Sequence, residues 1–407
     1  MTTSSELRLK HTGSRPSQIY RKTSLSSAIL KVKHSQKSFR LPHVLHHNMA
    51  ACFAHVGRLL RSPSLLNCYS TSSRLVTKHD ISLFRRLRRN YKYILDENLG
   101  ARITQSLGSL QDGVIIATNP GTGVLIRALF EAGATHVIGL EPERRFHPIL
   151  WEIQCQLSDG KTLDVIHGDF SKIDPHILTD DICTPPAIAS EDILRLVKPQ
   201  PWESNNLAAR FVGVEAAINP SVLHRNMIRH LGSISARNGI FQKGRCELAF
   251  FLEEDRAEKI TAKFGSKYYN RQSVIVELLC DVKVLLKEPY SLFYPVHGKQ
   301  KHKYLTLVSI VPKKQPAVNI SSEDLHYLNY FIRLLMVKPK SRVVNTMETI
   351  NPGSGVICDE LQFPHDMRVG DLCPEDIGKL ASAFFQWEGK SLSFFYDVGS
   401  TGNEVSW

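Results

Sequence analysis

The chain has 407 residues, 42% of them hydrophobic, and a formal net charge of +12 at pH 7. No apolar run reaches the roughly 18 residues that a membrane-spanning helix needs, which argues against a transmembrane protein. The eight cysteines at 52, 68, 155, 183, 246, 280, 358 and 373 contain no C-x-x-C pair, which argues against a zinc ribbon, a redox motif or a disulfide framework. They are expected to be reduced and mostly buried, and no metal site is expected.

The charge is not evenly spread. Residues 1–79 hold 13 of the 51 Lys and Arg but only one acid, Glu6, so the rest of the chain is neutral overall. Basic, Ser-rich and acid-poor composition marks an organelle transit peptide. Its clearest part begins at Met49, where Phe53, Val56, Leu59 and Leu60 share one side of a helix beside Arg58 and Arg61. A mitochondrial presequence cleaved near 65–75 is expected, and translation can start at Met1 or Met49. The alternative is a disordered basic tail that binds nucleic acid.

Residues 80–108 read as helical, with Leu83, Leu87, Tyr91, Ile94 and Leu99 on the apolar side and a basic run at 85–89. The most informative stretch follows at 114–141. Val114-Ile115-Ile116-Ala117 is a strand buried on both faces. Pro120 and the glycines of Asn119-Pro120-Gly121-Thr122-Gly123 end it in a tight turn. Val124, Leu125, Ala128, Leu129 and Ala132 then give a helix, and Val137-Ile138-Gly139-Leu140 a second strand ending at Glu141. The glycine turn lets a ligand approach the backbone, and Glu141 can accept both hydroxyls of a ribose. The third glycine of a dinucleotide fingerprint is replaced by Ile126. That counts against NAD or FAD and suits a nucleoside ligand without a pyrophosphate, such as S-adenosylmethionine. An ordinary βαβ turn with a surface glutamate is the alternative.

A second helix is expected over 146–157. A third strand, Leu163-Asp164-Val165-Ile166, runs into His167-Gly168-Asp169-Phe170, where Asp169 can accept from an adenine amine. Residues 171–207 are proline-rich and loop-like. A fourth strand at 208–214 is followed by Glu215, Asn219, Pro220 and Ser221, then by a helix to about 231. A fifth strand at 246–252, a charged helix, a helix at 273–280 and closing antiparallel strands at 282–286 and 304–311 complete an α/β unit.

These residues resemble the rRNA adenine N6-dimethyltransferase family, and within it the mitochondrial transcription factor B branch. The resemblance covers about residues 85–390. It is strongest in NPGTGVLIRALFEAGATHVIGLEPE, VIHGDF and VIVELLCDVKVLLKEPYSLFYP. It implies a Rossmann-like class I S-adenosylmethionine-dependent methyltransferase domain with a small C-terminal helical domain. It further implies cofactor contacts at Ile94, Gly121, Gly123, Glu141 and Asp169. Methylating members carry Asn-Leu-Pro-Tyr or a close variant after the fourth strand, to accept from the target amine and stack on its base. Here Val212-Gly213-Val214-Glu215 stands there, with Asn219-Pro220 as a displaced remnant and no aromatic at Ser221. The family's usual Glu before the glycine turn is Ala117. The resemblance therefore implies a cofactor pocket kept in part and a catalytic motif lost, with no confident catalytic residue among Val214, Glu215, Asn219 and Pro220.

Beyond the α/β unit, Ser321-Ser322-Glu323-Asp324 resembles a capping box before a helix carrying Leu325, Leu328, Phe331, Ile332 and Leu335. Arg333, Lys338, Lys340 and Arg342 cluster at its end as candidate phosphate contacts, or as an ordinary solvated helix end. A last helix is expected over 374–387, with Ile377, Leu380, Ala381 and Phe384 inward. The expected domains are a transit peptide and basic segment (1–79), the methyltransferase-like domain (80–315), a helical nucleic-acid-binding domain (316–396) and a disordered tail (397–407). The branch implies a transcription initiation factor in the mitochondrial matrix, at the nucleoid. Its partners would be mitochondrial RNA polymerase, promoter DNA and a mitochondrial HMG-box transcription factor. The competing reading is an active dimethyltransferase of adjacent adenines in mitochondrial small-subunit rRNA.

Overall fold

The computed structural model describes residue 84 and residues 91–111, 113–174, 186–216, 229–296, 302–321 and 323–392, all within one compact unit that begins at Ser72. The presequence, the basic run at 85–89, Asn219, Pro220 and the 397–407 tail lie outside these residues.

Apolar runs build the sheet. Strands β2 (Val114–Thr118), β3 (His136–Leu140), β4 (Thr162–Ile166), β5 (Ala209–Val214) and β6 (Cys246–Glu253) pair in parallel. β7 (Cys280–Pro289) and β9 (Tyr304–Pro312) close the sheet, with β9 antiparallel to both β6 and β7 in the order β4-β3-β2-β5-β6-β9-β7. This is the doubly wound α/β fold that was expected, with the antiparallel edge. The chain winds from β2 to β3 and β4 on one side, and to β5 and β6 on the other. The carboxyl ends of β2 and β5 therefore meet at the topological switch point, where open α/β sheets hold ligands.

Alternation along the strands divides the core. Ile115, Ala117, Val137, Val212 and Phe251 face helices α1 (Glu97–Leu107) and α2 (Val124–Glu131). Ile116, Ile138, Phe211 and Phe250 face the other side. There the apolar cluster continues through α5 (Arg271–Leu279) into the helical region of α6 (Leu328–Leu335), α7 (Val343–Ile350), α8 (Val356–Glu360) and α9 (Pro374–Gln386). Two further helices, α3 (His147–Cys155) and α4 (Glu254–Thr261), follow β3 and β6. Ile377, Leu380, Ala381 and Phe384 of α9 are fully buried as expected, with the Phe384 ring 5.0 Å from that of Phe331. Ser321 Oγ accepts from the Asp324 N–H at 3.1 Å, ahead of a single 3-10 turn and α6.

Two expectations need correction. Residues 91–95 are not helical. β1 (Tyr93–Ile94) pairs antiparallel with β8 (Phe293–Tyr294), and α1 starts only at Glu97, where Asp96 caps it by accepting from Leu99 N–H. The Asp96 cap and the alternation of aromatic and polar residues in Tyr91-Lys92-Tyr93 outweigh the helical spacing of the leucines. The helix expected to end near 231 runs on to Ala236 in its described part. Among the described cysteines Cys246, Cys280 and Cys358 are buried, Cys373 is half-buried and Cys155 at the carboxyl end of α3 is exposed, so most are buried as expected.

Candidate functional site at the strand ends

Three acids stand at the carboxyl ends of strands on the two sides of β2. Glu141 follows β3, Asp169 follows β4 and Glu215 follows β5, and they are 0%, 2% and 5% exposed. Glu141 and Glu215 are placed by backbone pairing that continues past their strands, and Asp169 by a bond to a loop. Glu141 N–H donates to the Ile166 carbonyl, Asp169 N–H to Pro186 and Glu215 N–H to Phe251. The position of Glu141 and Glu215 is therefore a property of the sheet.

The glycine turn faces Glu141. Gly121 and Gly123 have φ of +58° and +82°, a region that L side chains avoid. A Cβ on Gly121 would lie 2.6 Å from Tyr93 Cδ1. Gly121 N–H donates to Glu141 Oε2 and Glu143 N–H to Glu141 Oε1, both at 2.8 Å. Those two bonds favour the ionised carboxylate. Burial outweighs them, and with Glu143 and Asp169 nearby the Glu141 carboxyl is pushed up to about 8. Glu215 is raised as well, by burial first and then by Asp169, against the opposing pull of Arg256. Asp169 Oδ1 accepts from Ser171 N–H at 2.9 Å and Ser171 Oγ at 2.7 Å, and its Oδ2 accepts from the Tyr91 hydroxyl at 2.6 Å.

Three buried polar atoms around this point have no hydrogen-bond partner among the described residues: Tyr93 Oη, Thr118 Oγ1 and Asn119 Oδ1. Buried polar atoms are rarely left so. A polar ligand at the glycine turn would supply what they lack, so the donor and acceptor set fits a nucleoside-bearing cofactor. Ile94 fits less directly, since its side chain packs with Leu99 and Phe293 in the core.

The Glu215 side chain is buried beside Asp169, and the Val214 carbonyl accepts from Asn119 Nδ2 at 3.4 Å. Asn219 and Pro220 fall outside the described residues.

The basic candidates are only partly brought together. Lys338, Lys340 and Arg342 are exposed in the α6–α7 loop, which is pinned when Val369 N–H donates to Ser341 and Gly370 N–H to Pro339. Arg333 is half-buried, 5.0 Å from the Tyr330 ring centroid, and its charge also acts on Arg271 of α5, whose guanidinium is lowered by burial first. Two kinds of residue were missed from sequence. An isolated bridge sets exposed Arg368 beside Arg342, and only the fold joins them. Tyr91 and Tyr93 were read as part of a helix, although the spacing of Tyr91-Lys92-Tyr93 carried a strand signal. Among the described residues one group has metal-ligand spacing: Glu253, Asp255 and His302, with donor atoms within 4.8 Å of one another. Arg256 lies 3.7 Å from Glu253 and His302 Nε2 lies 3.6 Å from Asp255.

Residues 85–384 match the family model described as ribosomal RNA adenine dimethylase. The chain is 30% identical to dimethyladenosine transferase 2, mitochondrial, of Bos taurus, over 70% of this chain and 74% of that one. It is 28% identical to the Homo sapiens protein of the same name, over 75% and 80%. It is 26% identical to dimethyladenosine transferase 1, mitochondrial, of Vermamoeba vermiformis, over 79% and 95%. A crystal structure of a dimethyladenosine transferase from Plasmodium falciparum aligns with a TM-score of 0.48 at 14% identity, over 72% of this chain and 98% of that one. The chain therefore belongs to the ribosomal RNA adenine dimethylase family and is similar to its mitochondrial members.

Proposed function

We propose that the chain is a mitochondrial transcription initiation factor that acts with mitochondrial RNA polymerase in promoter melting. It would do so on a dimethylase fold whose cofactor cradle is kept and whose catalytic motif has degenerated. The observation that carries this reading is the end of β5. Transfer to an adenine amine needs an acceptor there that aligns the nitrogen lone pair on the methyl group, since positioning is what the protein adds to an activated cofactor. Instead Glu215 is buried, and the Val214 carbonyl is engaged by Asn119. The cradle itself has the parts for S-adenosylmethionine: Glu141 for the ribose hydroxyls, Asp169 for the adenine amine, and the open backbone of Gly121 and Gly123.

Single-stranded promoter DNA would run past the α6–α7 loop, with Lys338, Lys340 and Arg342 on its phosphates and Arg333 and Arg368 beside them. The mitochondrial setting is supported by the names of the relatives and by the acid-poor segment at 1–79. A site of action at the nucleoid, in the matrix, follows from the promoter role, as does assembly with a mitochondrial HMG-box transcription factor. Promoter-dependent runoff transcription with purified polymerase tests the proposal: the chain is expected to stimulate full-length transcripts, and absence of stimulation removes the reading. The second reading is an active N6,N6-dimethyltransferase of mitochondrial small-subunit rRNA, which the preserved acids at β3 and β4 favour.

A further inference from the structure

One side chain sits among all three buried acids. The Tyr91 hydroxyl donates to Asp169 Oδ2 at 2.6 Å and also feels the charges of Glu141 and Glu215. The two oxygens of Asp169 are divided in role. Oδ1 takes both bonds from Ser171 and fixes the turn after β4. Oδ2 is the oxygen left for a ligand, and Tyr91 holds it.

The surrounding contacts fix the backbone beside Tyr91. Lys92, the next residue, is 1% exposed, donates to the Pro295 carbonyl and lies 4.6 Å from the Tyr290 ring centroid. Tyr93 is paired to Tyr294 in the β1–β8 ribbon and packs against Phe84 and Phe146, with ring centroids 5.3 and 5.1 Å away. The backbone is thus anchored from Lys92 onward. The half-buried Tyr91 side chain can turn away by rotation about its own χ1 without breaking a strand pair.

We propose that Tyr91 is an internal competitor for the adenine end of the cradle, holding Asp169 Oδ2 in the ligand-free protein so that an adenosyl ligand binds by displacing it. This rests on reading the strand ends as an adenosyl cradle. The phenol O–H and the exocyclic amine N–H are both donors aimed at one carboxylate oxygen, so each satisfies it in the other's absence. A hypoxanthine ring, with a carbonyl in place of that amine, gains nothing from the exchange. Tyr91 therefore lowers affinity for adenosyl ligands in particular and sets the concentration at which the cradle fills.

The test is calorimetric titration of the full chain with S-adenosylhomocysteine and with S-inosylhomocysteine, in wild type, Tyr91→Phe and Tyr91→Ser. Removing the hydroxyl leaves Asp169 Oδ2 without its donor in the free protein, so S-adenosylhomocysteine should bind both variants about tenfold tighter. S-inosylhomocysteine should not gain. Unchanged or weaker binding of S-adenosylhomocysteine by the variants, with wild type binding, overturns the inference and leaves the cradle standing. An equal gain for both ligands makes Tyr91 a steric plug and also overturns it. No binding to any of the three proteins removes the cradle reading and the inference together. Thermal melting confirms the fold of each variant. If neither variant folds, Tyr91 is structural and the proposal fails.

Discussion

In the cradle, Glu141, Asp169 and Glu215 are at most 5% exposed, each held by a strand end. In the α6–α7 loop, Lys338, Lys340 and Arg342 stand in solvent. The two regions hold acids and bases under opposite conditions. A buried carboxyl is governed by the particular N–H and O–H groups around it and by the low dielectric, so its effects are large and specific to position. An exposed cation is screened and exchangeable, so its effects are small and add with its neighbours. Substitutions in the cradle should therefore change stability, pH response and ligand selectivity. Substitutions in the loop should change nucleic-acid affinity and its salt dependence while leaving the fold alone.

The largest expected effect is at Gly213, where β5 pairs with Thr118 of β2. A Cβ there would lie 2.1 Å from Thr118 Oγ1 and 2.5 Å from the Thr118 carbonyl oxygen. Gly213→Ala forces backbone apart in the middle of the sheet and should cost about 4 kcal/mol, read as a lower urea midpoint. A mild effect would mean that the switch point is slack, and the contrast with the loop would weaken.

Next is pH. The Glu141 carboxyl titrates near 8 in the folded protein against 4.5 for the unperturbed group. The folded state thus keeps a proton that the unfolded chain has lost. The stabilisation is complete below the unfolded value and is lost as pH rises through the folded one. Glu215 shifts in the same direction and adds to the trend. Stability should fall by roughly 3–4 kcal/mol between pH 5 and pH 8, and Glu141→Gln should flatten the fall. Denaturation curves in a pH series check both. Because ribose hydroxyls favour the ionised carboxylate, S-adenosylhomocysteine should bind more tightly at pH 8.5 than at 6.5.

The loop gives smaller effects. Replacing Lys338, Lys340 and Arg342 together by Ala should weaken single-stranded DNA binding about tenfold at physiological salt. It should also reduce the slope of log K against log salt by about 2. The melting midpoint should not move. Arg368→Ala alone should lower the slope by about 0.7. A stability loss in the triple variant would show that these cations hold the α6–α7 loop in place, which would erase the distinction between the regions.

How much was legible in the sequence follows the same division. β2, the glycine turn, α2, β3 and Glu141 were readable because a fully buried parallel strand and a left-handed turn need particular residues in order, whatever lies around them. Asp169 was readable as the next strand end. Tyr91 was misplaced, because helical spacing of Leu87, Tyr91 and Ile94 competes locally with a two-residue ribbon whose partner, Phe293–Tyr294, is 200 positions away in sequence. Glu215 could be named but its burial could not, since no local pattern shows which distant residues cover the end of a strand. Arg368 joins Arg342 through a bridge that no local pattern announces.

The proposed function turns on two premises, a cofactor cradle that still fits its ligand and an amine acceptor that has been lost. Its most direct test is transfer of tritiated methyl from S-adenosylmethionine to a small-subunit rRNA stem-loop, comparing wild type with Asp169→Ala. The account predicts that wild type transfers no more label than the variant. Robust transfer by wild type that disappears in Asp169→Ala would contradict it.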